Sequence, residues 1–460
     1  MAHITEHYFN ETVQTLVKTL QFDSSMKAAE DNYPFGKETA DCLQYFLDVA
    51  SSMGFTTKNY DNYVGEVVYG KGEPFALLAH LDVVPAGNGW KYNAFGGVIN
   101  DDISAGGVPG TKIWGRGAMD DKGPAVCLLY ALKALKDEGF MPNRTIKLIL
   151  GCNEESGWKC IEHYNKVAVM PEEGFTPDAN FPVIYAEKGI LHITLSFPIQ
   201  DAPFTALCGG ERANMVCDLT TAFITKRCAQ SLAYYQNTIP GTRLSYDNST
   251  NALRCLGKSA HGSTPHRGAN ALQGMLAFLS TVNTDCKRAY EILFDDVLGL
   301  TKLQDETGNL TFSPNVSTYH NGVLQVTADI RFPATEKKET ILQMLDNAGI
   351  SYTVQNYQAP LYNDPNSELI STLNAVYGEV TGKTEKPIAI GGGTYARALA
   401  RGCAFGPEVD GEEDTIHQAN EYITFDKIRS LSKIYYEAIK RLTKPKTICI
   451  GKFVARSVKK

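Results

Sequence analysis

The sequence predicts two domains, an α/β sheet domain interrupted by an inserted α+β domain. Three observations carry that prediction. At 460 residues the chain exceeds what one hydrophobic core usually serves. Its first part alternates helical and strand patterns, which implies helices packed on a sheet and a site at the strand ends. From about Glu187 the runs switch to apolar–polar alternation, as in an antiparallel sheet covered on one face, and near Pro387 the α/β pattern returns.

The elements follow in order. Val13, Leu16, Val17 and Leu20 sit at helical spacing. Residues 37–54 read as an amphipathic helix with Gly54 closing it, 62–69 as an alternating strand, and 75–80 as a short buried strand. Residues 123–139 are helical, and 145–151, carrying Ile146, Leu148 and Leu150, form another buried strand. In the insertion, 191–197 and 324–332 alternate as strands, with helical stretches at 269–283 and 336–348. Residues 425–442 read as a closing helix. There is no short internal repeat and no low-complexity segment.

Composition narrows the function classes. Hydrophobic residues make up 43% and charged residues 21%, an ordinary globular balance. A net charge of −7 gives no reason to expect a nucleic-acid or anionic-membrane partner. Eleven cysteines are scattered from Cys42 to Cys449 without a Cys-x-x-Cys pair, which argues against a disulfide framework and a thiolate zinc finger. Oxygen and imidazole ligands must therefore carry any metal site. His3, Glu6, Glu11 and Lys18 interrupt any signal-peptide core, and no run of about 18 apolar residues occurs, so a cytoplasmic protein is expected. The basic tail 444–460, following Pro445, reads as a solvated end.

Four separated stretches concentrate reactive side chains. Ala79-His80-Leu81-Asp82-Val83-Val84-Pro85 places an imidazole at a strand end with a carboxylate two residues on. Such a carboxylate can accept the ring N–H of a metal-bound imidazole and fix its tautomer, although a lone His-x-Asp also occurs in purely structural settings. Gly115-Arg116-Gly117-Ala118-Met119-Asp120-Asp121-Lys122-Gly123-Pro124 sets two adjacent carboxylates at a loop-to-helix junction. They repel unless a cation or the helix N-terminus compensates, and an N-cap explains one of them but not the pair. Gly151-Cys152-Asn153-Glu154-Glu155-Ser156-Gly157 follows a buried strand, where α/β sites are built; one carboxylate can bind metal while its neighbour stays free as a base, and a solvated acidic turn is the alternative. Gly391-Gly392-Gly393-Thr394-Tyr395-Ala396-Arg397, followed by His417, is either a flexible loop or a backbone approach to a substrate carboxylate.

Taken together, these stretches resemble the M20 family of co-catalytic zinc peptidases, and within it the Xaa-His (β-alanyl) dipeptidase branch of PepV- and carnosinase-like enzymes. Two more stretches carry the likeness: Thr176-Pro177-Asp178-Ala179-Asn180-Phe181-Pro182 with Glu187-Lys188-Gly189, and Gly257-Lys258-Ser259-Ala260-His261-Gly262-Ser263-Thr264-Pro265. The resemblance runs from about residue 10 to about residue 442. It implies a catalytic domain with a mixed sheet flanked by helices, over 1–186 and 387–460, and an inserted lid over 187–386. It also implies that His80 and Asp178 bind one zinc, Glu155 and His417 the other, and that Asp120 bridges them, with manganese or cobalt as possible substitutes. Asp82 would orient His80, and Glu154 would be the general base. From the insertion, His261 would stabilise the oxyanion, while Asn214, Arg331 and the Gly392 loop would hold the substrate carboxylate, assisted by Arg397. The long insertion resembles the branch in which one chain supplies every contact, so a monomer acting on short peptides is expected. The runner-up is an N-acyl-amino-acid hydrolase of the same family. A catalytically silent metal- or peptide-binding protein is the alternative from another class.

Overall fold

In a computed structural model, residues 6–102, 104 and 108–444 are described; the basic stretch 445–460 and His3 lie outside them. The chain divides into two compact units, one of Met1–Ile184, Asn363–Pro387 and Thr394–Lys460, the other of Tyr185–Tyr362 and Ile388–Gly393. In chain order the first unit begins with α1 (Phe9–Leu20), α2 (Lys37–Ser52), β1 (Thr56–Tyr60), β2 (Val64–Tyr69), β3 (Glu73–His80), α3 (Lys122–Asp137), β4 (Arg144–Gly151) and β5 (Glu173–Thr176). The second unit holds β6 (Gly189–Pro198), β7 (Phe204–Gly209), β8 (Leu219–Ile224), β9 (Arg243–Asp247), β10 (Ala252–Leu256), α4 (Ala271–Leu279), α5 (Thr284–Phe294), β11 (Thr311–His320), β12 (Val323–Phe332), α6 (Lys338–Asn347) and β13 (Ser351–Gln358). The first unit resumes with α7 (Glu368–Thr381), β14 (Arg401–Ala404) and α8 (Phe425–Thr443).

These bounds depart from the expected 187–386 insertion at residues 363–386, which fall in the first unit, and at residues 185–186 and 388–393, which fall in the second. Helix α7 lies in the first unit because it packs on α8. Its buried Leu369, Ile370, Leu373 and Val376 show that it needs a core, but a helical pattern alone does not say which one.

The first unit's sheet runs β1-β2-β4-β3-β5-β14. β1, β2 and β4 pair antiparallel, while β4, β3, β5 and β14 are parallel. This is a mixed sheet. Its central strands β3 and β4 are apolar towards their C-terminal ends, with Phe75 to Ala79 and Leu148 to Leu150 fully buried, as strands covered on both faces must be. Gly174 permits the close approach of β5 to β3, since a Cβ there would lie 2.1 Å from the Ala76 carbonyl oxygen. α3 packs on β3 and β4 and against α8. α2 ends in a Schellman turn: Phe55 N–H reaches the Ala50 carbonyl and Gly54 N–H the Ser51 carbonyl, with Gly54 at φ +77°.

The second unit's sheet is antiparallel throughout, in the order β9-β10-β8-β7-β11-β12-β6-β13. Leu191, Ile193 and Leu195 of β6 join Leu324, Val326, Ala328 and Ile330 of β12 in a core shared with α4, α5 and α6. The predicted helix 269–283 is present but shorter, since α4 stops at Leu279; a separate helix, α5, follows from Thr284, capped by Asn283, whose side chain accepts from Cys286 N–H. Among the described residues no helix is long and apolar enough to cross a membrane.

Candidate metal centre

Three neighbouring parallel strands deliver the centre. β3 ends at His80, and β4 ends at Gly151, directly beside it in register, so the turn bearing Glu154 and Glu155 emerges next to the imidazole. β5 ends at Thr176, two residues before Asp178. The C-terminal ends of parallel strands thus converge, where ligands of open α/β sheets are bound. Asp120 comes from the loop ahead of α3, joined to Asp121 by a cis peptide bond, and His417 from the loop ahead of α8.

The donor atoms face one another. His80 Nε2 lies 2.9 Å from Asp120 Oδ1 and 3.6 Å from Asp178 Oδ2. His417 Nε2 lies 2.9 Å from the other Asp120 oxygen and 3.1 Å from Glu155 Oε1. One carboxylate therefore stands between two imidazoles, each accompanied by a second carboxylate. A Glu154 carboxylate oxygen comes within 4.8 Å of the donor atoms of His80 and Asp178.

Electrostatics make this an unbalanced cluster. Burial pushes Glu154 up to about 7, against the opposing effect of His80 and with help from the neighbouring carboxylates. Burial and then the charge of Asp120 drive Asp178 well above the ordinary range. Burial alone would lower His80, but Asp120, Asp82 and Asp178 hold it well above an ordinary imidazole. His417 is raised to about 10, first by its bond to Asp120 and then by Glu155. Carboxyl groups outnumber imidazoles here, and oxygen and nitrogen donors without a thiolate form a set that suits a divalent cation. These residues fit a metal.

Asp82 departs from the role expected of it. His80 Nδ1–H donates to the Asp82 backbone carbonyl at 2.9 Å, while the nearer carboxylate oxygen is 3.6 Å away, beyond hydrogen-bond range. The carboxylate instead accepts Glu154 N–H at 3.0 Å and Glu155 N–H at 3.1 Å, one on each oxygen. A two-residue spacing brings Asp82 near His80 but does not say which of its oxygens the ring meets.

In the second unit, Asn214, His261 and Arg331 come together. The Asn214 carbonyl accepts Gly262 N–H at 2.7 Å, Met215 and His261 form a β-bridge, and His261 Nδ1 lies 2.7 Å from Ser263 Oγ. Burial, with Arg331 nearby, lowers the His261 pKa. Arg331 is buried, its Nε and Nη2 donating to the two oxygens of Asp329 at 2.7 and 2.9 Å and its Nη1 to the Gly391 carbonyl at 3.0 Å. Gly392 lies in the short 388–393 segment of the same unit, whereas Arg397 belongs to the first unit, on the turn Tyr395–Ala398.

The sequence profile of peptidase family M20/M25/M40 matches residues 76–441. The chain belongs to that family. Two relatives in sequence cover most of it. The Bacillus subtilis (strain 168) protein named "Putative dipeptidase YtjP" is 34% identical over 436 residues, 89% of this chain and 92% of that one. The Staphylococcus aureus (strain MW2) protein named "Putative dipeptidase MW1694" is 34% identical over 469 residues, 94% and 97% of the two chains. Among solved structures, aminoacylhistidine dipeptidase from Vibrio alginolyticus matches with a TM-score of 0.57 at 14% identity, covering 93% of this chain and 96% of that one. Human carnosine dipeptidase 1 matches at 0.56 and 13%, covering 96% and 98%. The fold is that of the M20 peptidases.

Several residues that hold the candidate site side chains of this M20 chain in place are not marked by the sequence patterns. Glu421, fully buried, accepts Gly117 N–H and the buried Arg116 guanidinium on one oxygen, and Met119 and Asp120 N–H on the other, at 2.7–3.3 Å. It fastens the backbone on which Asp120 sits. Nothing marked it except a four-residue distance from His417. Asp329 had a signal: two residues from Arg331, it lies on the same strand face. Trp158, four residues after Glu154, donates its indole N–H to Glu154 Oε1 at 3.0 Å.

Proposed function

We propose that the protein is a metal-dependent dipeptidase that releases single amino acids from dipeptides or other very short peptides with a free amino end. The reading is supported most by Asp120, whose two oxygens each face an imidazole Nε2 at 2.9 Å. Membership of a peptidase family and relatives named for dipeptides support it further.

In this reading His80 and Asp178 hold one metal ion, Glu155 and His417 the second, and Asp120 both. Divalent ions there, zinc with manganese or cobalt as substitutes, supply Lewis acidity that polarises a scissile carbonyl and acidifies water. Glu154 takes a proton from the attacking water as the new C–O bond forms, then returns it to the amine nitrogen as the C–N bond breaks. Asp82 holds the Glu154–Glu155 turn by its two backbone amides. His261 is assigned to the oxyanion, and Asn214, Arg331 and the Gly392 loop to the substrate carboxylate, with Arg397 assisting. Of the five guanidinium N–H groups of an arginine, three of Arg331's are taken by Asp329 and Gly391, leaving two, which match the two oxygens of a carboxylate. Cysteines that are free and largely buried accord with a reducing cytoplasm, and we carry the monomer as part of this reading.

Hydrolysis of a free dipeptide beside its N-acetylated counterpart, in chelated and zinc-reloaded protein, tests the proposal. Metal-dependent cleavage of the free dipeptide alone is expected. Cleavage of the acetylated compound alone would move the assignment to N-acyl-amino-acid hydrolysis. Cleavage of neither by metal-loaded protein would leave a binding protein.

A further inference from the structure

Trp158 occupies a backbone conformation that needs an explanation. Its φ is +63° and its ψ 20°, the left-handed region, which a bulky residue rarely adopts. Such conformations persist only where the surroundings over-determine them, and they cluster at functional sites. Here the surroundings are specific. Asn153, itself buried, closes the turn twice: its carbonyl accepts Trp158 N–H at 2.8 Å, and its side-chain oxygen accepts Lys159 N–H at 3.0 Å. Trp158 then starts the helix Lys159–Val167, its carbonyl accepting from Ile161 and Glu162.

The ring is fixed as firmly as the backbone. It packs edge-on against Tyr395, with centroids 5.2 Å apart, and Tyr395 packs edge-on in turn against the His80 imidazole at 6.2 Å. Tyr395 is fully buried; its hydroxyl sits 3.2 Å from Cys160 Sγ and occupies the space where Gly151 lacks a side chain. The indole cannot turn freely, and its one polar atom points at Glu154 Oε1, 3.0 Å away.

We infer that Trp158 is a positioning residue for Glu154. The indole N–H fixes one carboxylate oxygen and so orients the other for proton transfer. A glutamate has three side-chain torsions, and without this bond its carboxylate would sample positions from which the proton cannot be taken. Such misplacement costs rate even when the group itself is intact. The inference rests on Glu154 being the general base.

A double-mutant cycle separates the two claims. Trp158→Phe keeps an aromatic ring against Tyr395 and removes the N–H. We expect kcat on a dipeptide to fall about 10- to 100-fold, the worth of a hydrogen bond to a charged group. KM, bound metal by elemental analysis and the circular dichroism spectrum should stay as in the unmodified protein. In a Glu154→Gln background the same change should cost nothing further, because the oriented group is already gone. A loss below two-fold, or an equal loss in both backgrounds, overturns the inference. Near-normal turnover by Glu154→Gln alone strikes the general-base assignment itself. If Trp158→Phe fails to fold or loses metal, benzothienylalanine placed at position 158 decides: it preserves the ring shape and lacks only the N–H. A reduced kcat then supports the inference and an unchanged one refutes it.

Discussion

At the scale of single residues, charge and support can be separated by substitution. Glu154→Gln keeps the size of the side chain and removes its basicity; kcat should drop by about 10²–10⁴, with metal content unchanged by elemental analysis. His80→Ala should show the reverse emphasis, losing metal as well as rate, because His80 faces both Asp120 and Asp178. Glu421→Ala would strand the buried Arg116 and release the backbone amides beneath Asp120. Breaking a buried pair from one side costs about 3–5 kcal/mol, so denaturant titration should register a large loss, accompanied by weaker metal retention. The candidate side chains His80, Asp120, Glu154, Glu155 and Asp178 were legible because each sits in a short contiguous stretch beside a glycine or a buried strand, whereas His417 has neither neighbour and was given a role only through the resemblance. Glu421, Asp329 and Trp158 were not, since each is a lone residue whose partner is chosen by the folded backbone. For Asp82 the sequence named the right residue and the wrong contact.

Elements were legible where their period was clean. The strands β3 and β4 and the helices α2, α3 and α8 lie within a few residues of where apolar spacing put them. The stretch 269–283 does hold one helix, but apolar spacing carries it past its end at Leu279, and nothing in the sequence marks Asn283 as the cap from which α5 starts until its side chain is seen accepting from Cys286 N–H. Asn270 plays the same part for α4, accepting from Leu272 and Gln273 N–H and donating to the Pro314 carbonyl at 2.6 Å. Asn270→Ala should therefore cost about 0.5–2 kcal/mol, measurable by chemical unfolding. Gly174→Ala is the corresponding test in the first unit's sheet. Its methyl group would meet the Ala76 carbonyl at 2.1 Å, and the strands must part to admit it. A destabilisation of about 1–3 kcal/mol or more is expected from such overpacking, with reduced metal binding because β3 and β5 carry His80 and lead into Asp178.

At the scale of the whole molecule, every donor atom of the centre belongs to one unit. A ligand that binds only the folded form stabilises it by mass action, about 2.7 kcal/mol at a hundred times its dissociation constant. Scanning calorimetry with and without chelator should then show a metal-dependent transition for the first unit and a transition of the second unit that does not move. The division itself was only partly legible: the change of pattern at Glu187 marks the entry to the second unit, but α7 had to be seen against α8 before its allegiance was known. The insertion also separates the first unit's two halves along the chain, and this has a consequence for synthesis. β14, which extends the parallel sheet beyond β5, and His417 are made only after the whole of Tyr185–Tyr362. Domains fold as units as they leave the ribosome, so the middle of this chain can be complete while its beginning still waits for its end. A nascent chain that ends before residue 401 lacks β14 and His417, so the full set of candidate ligands is assembled only when translation is nearly over.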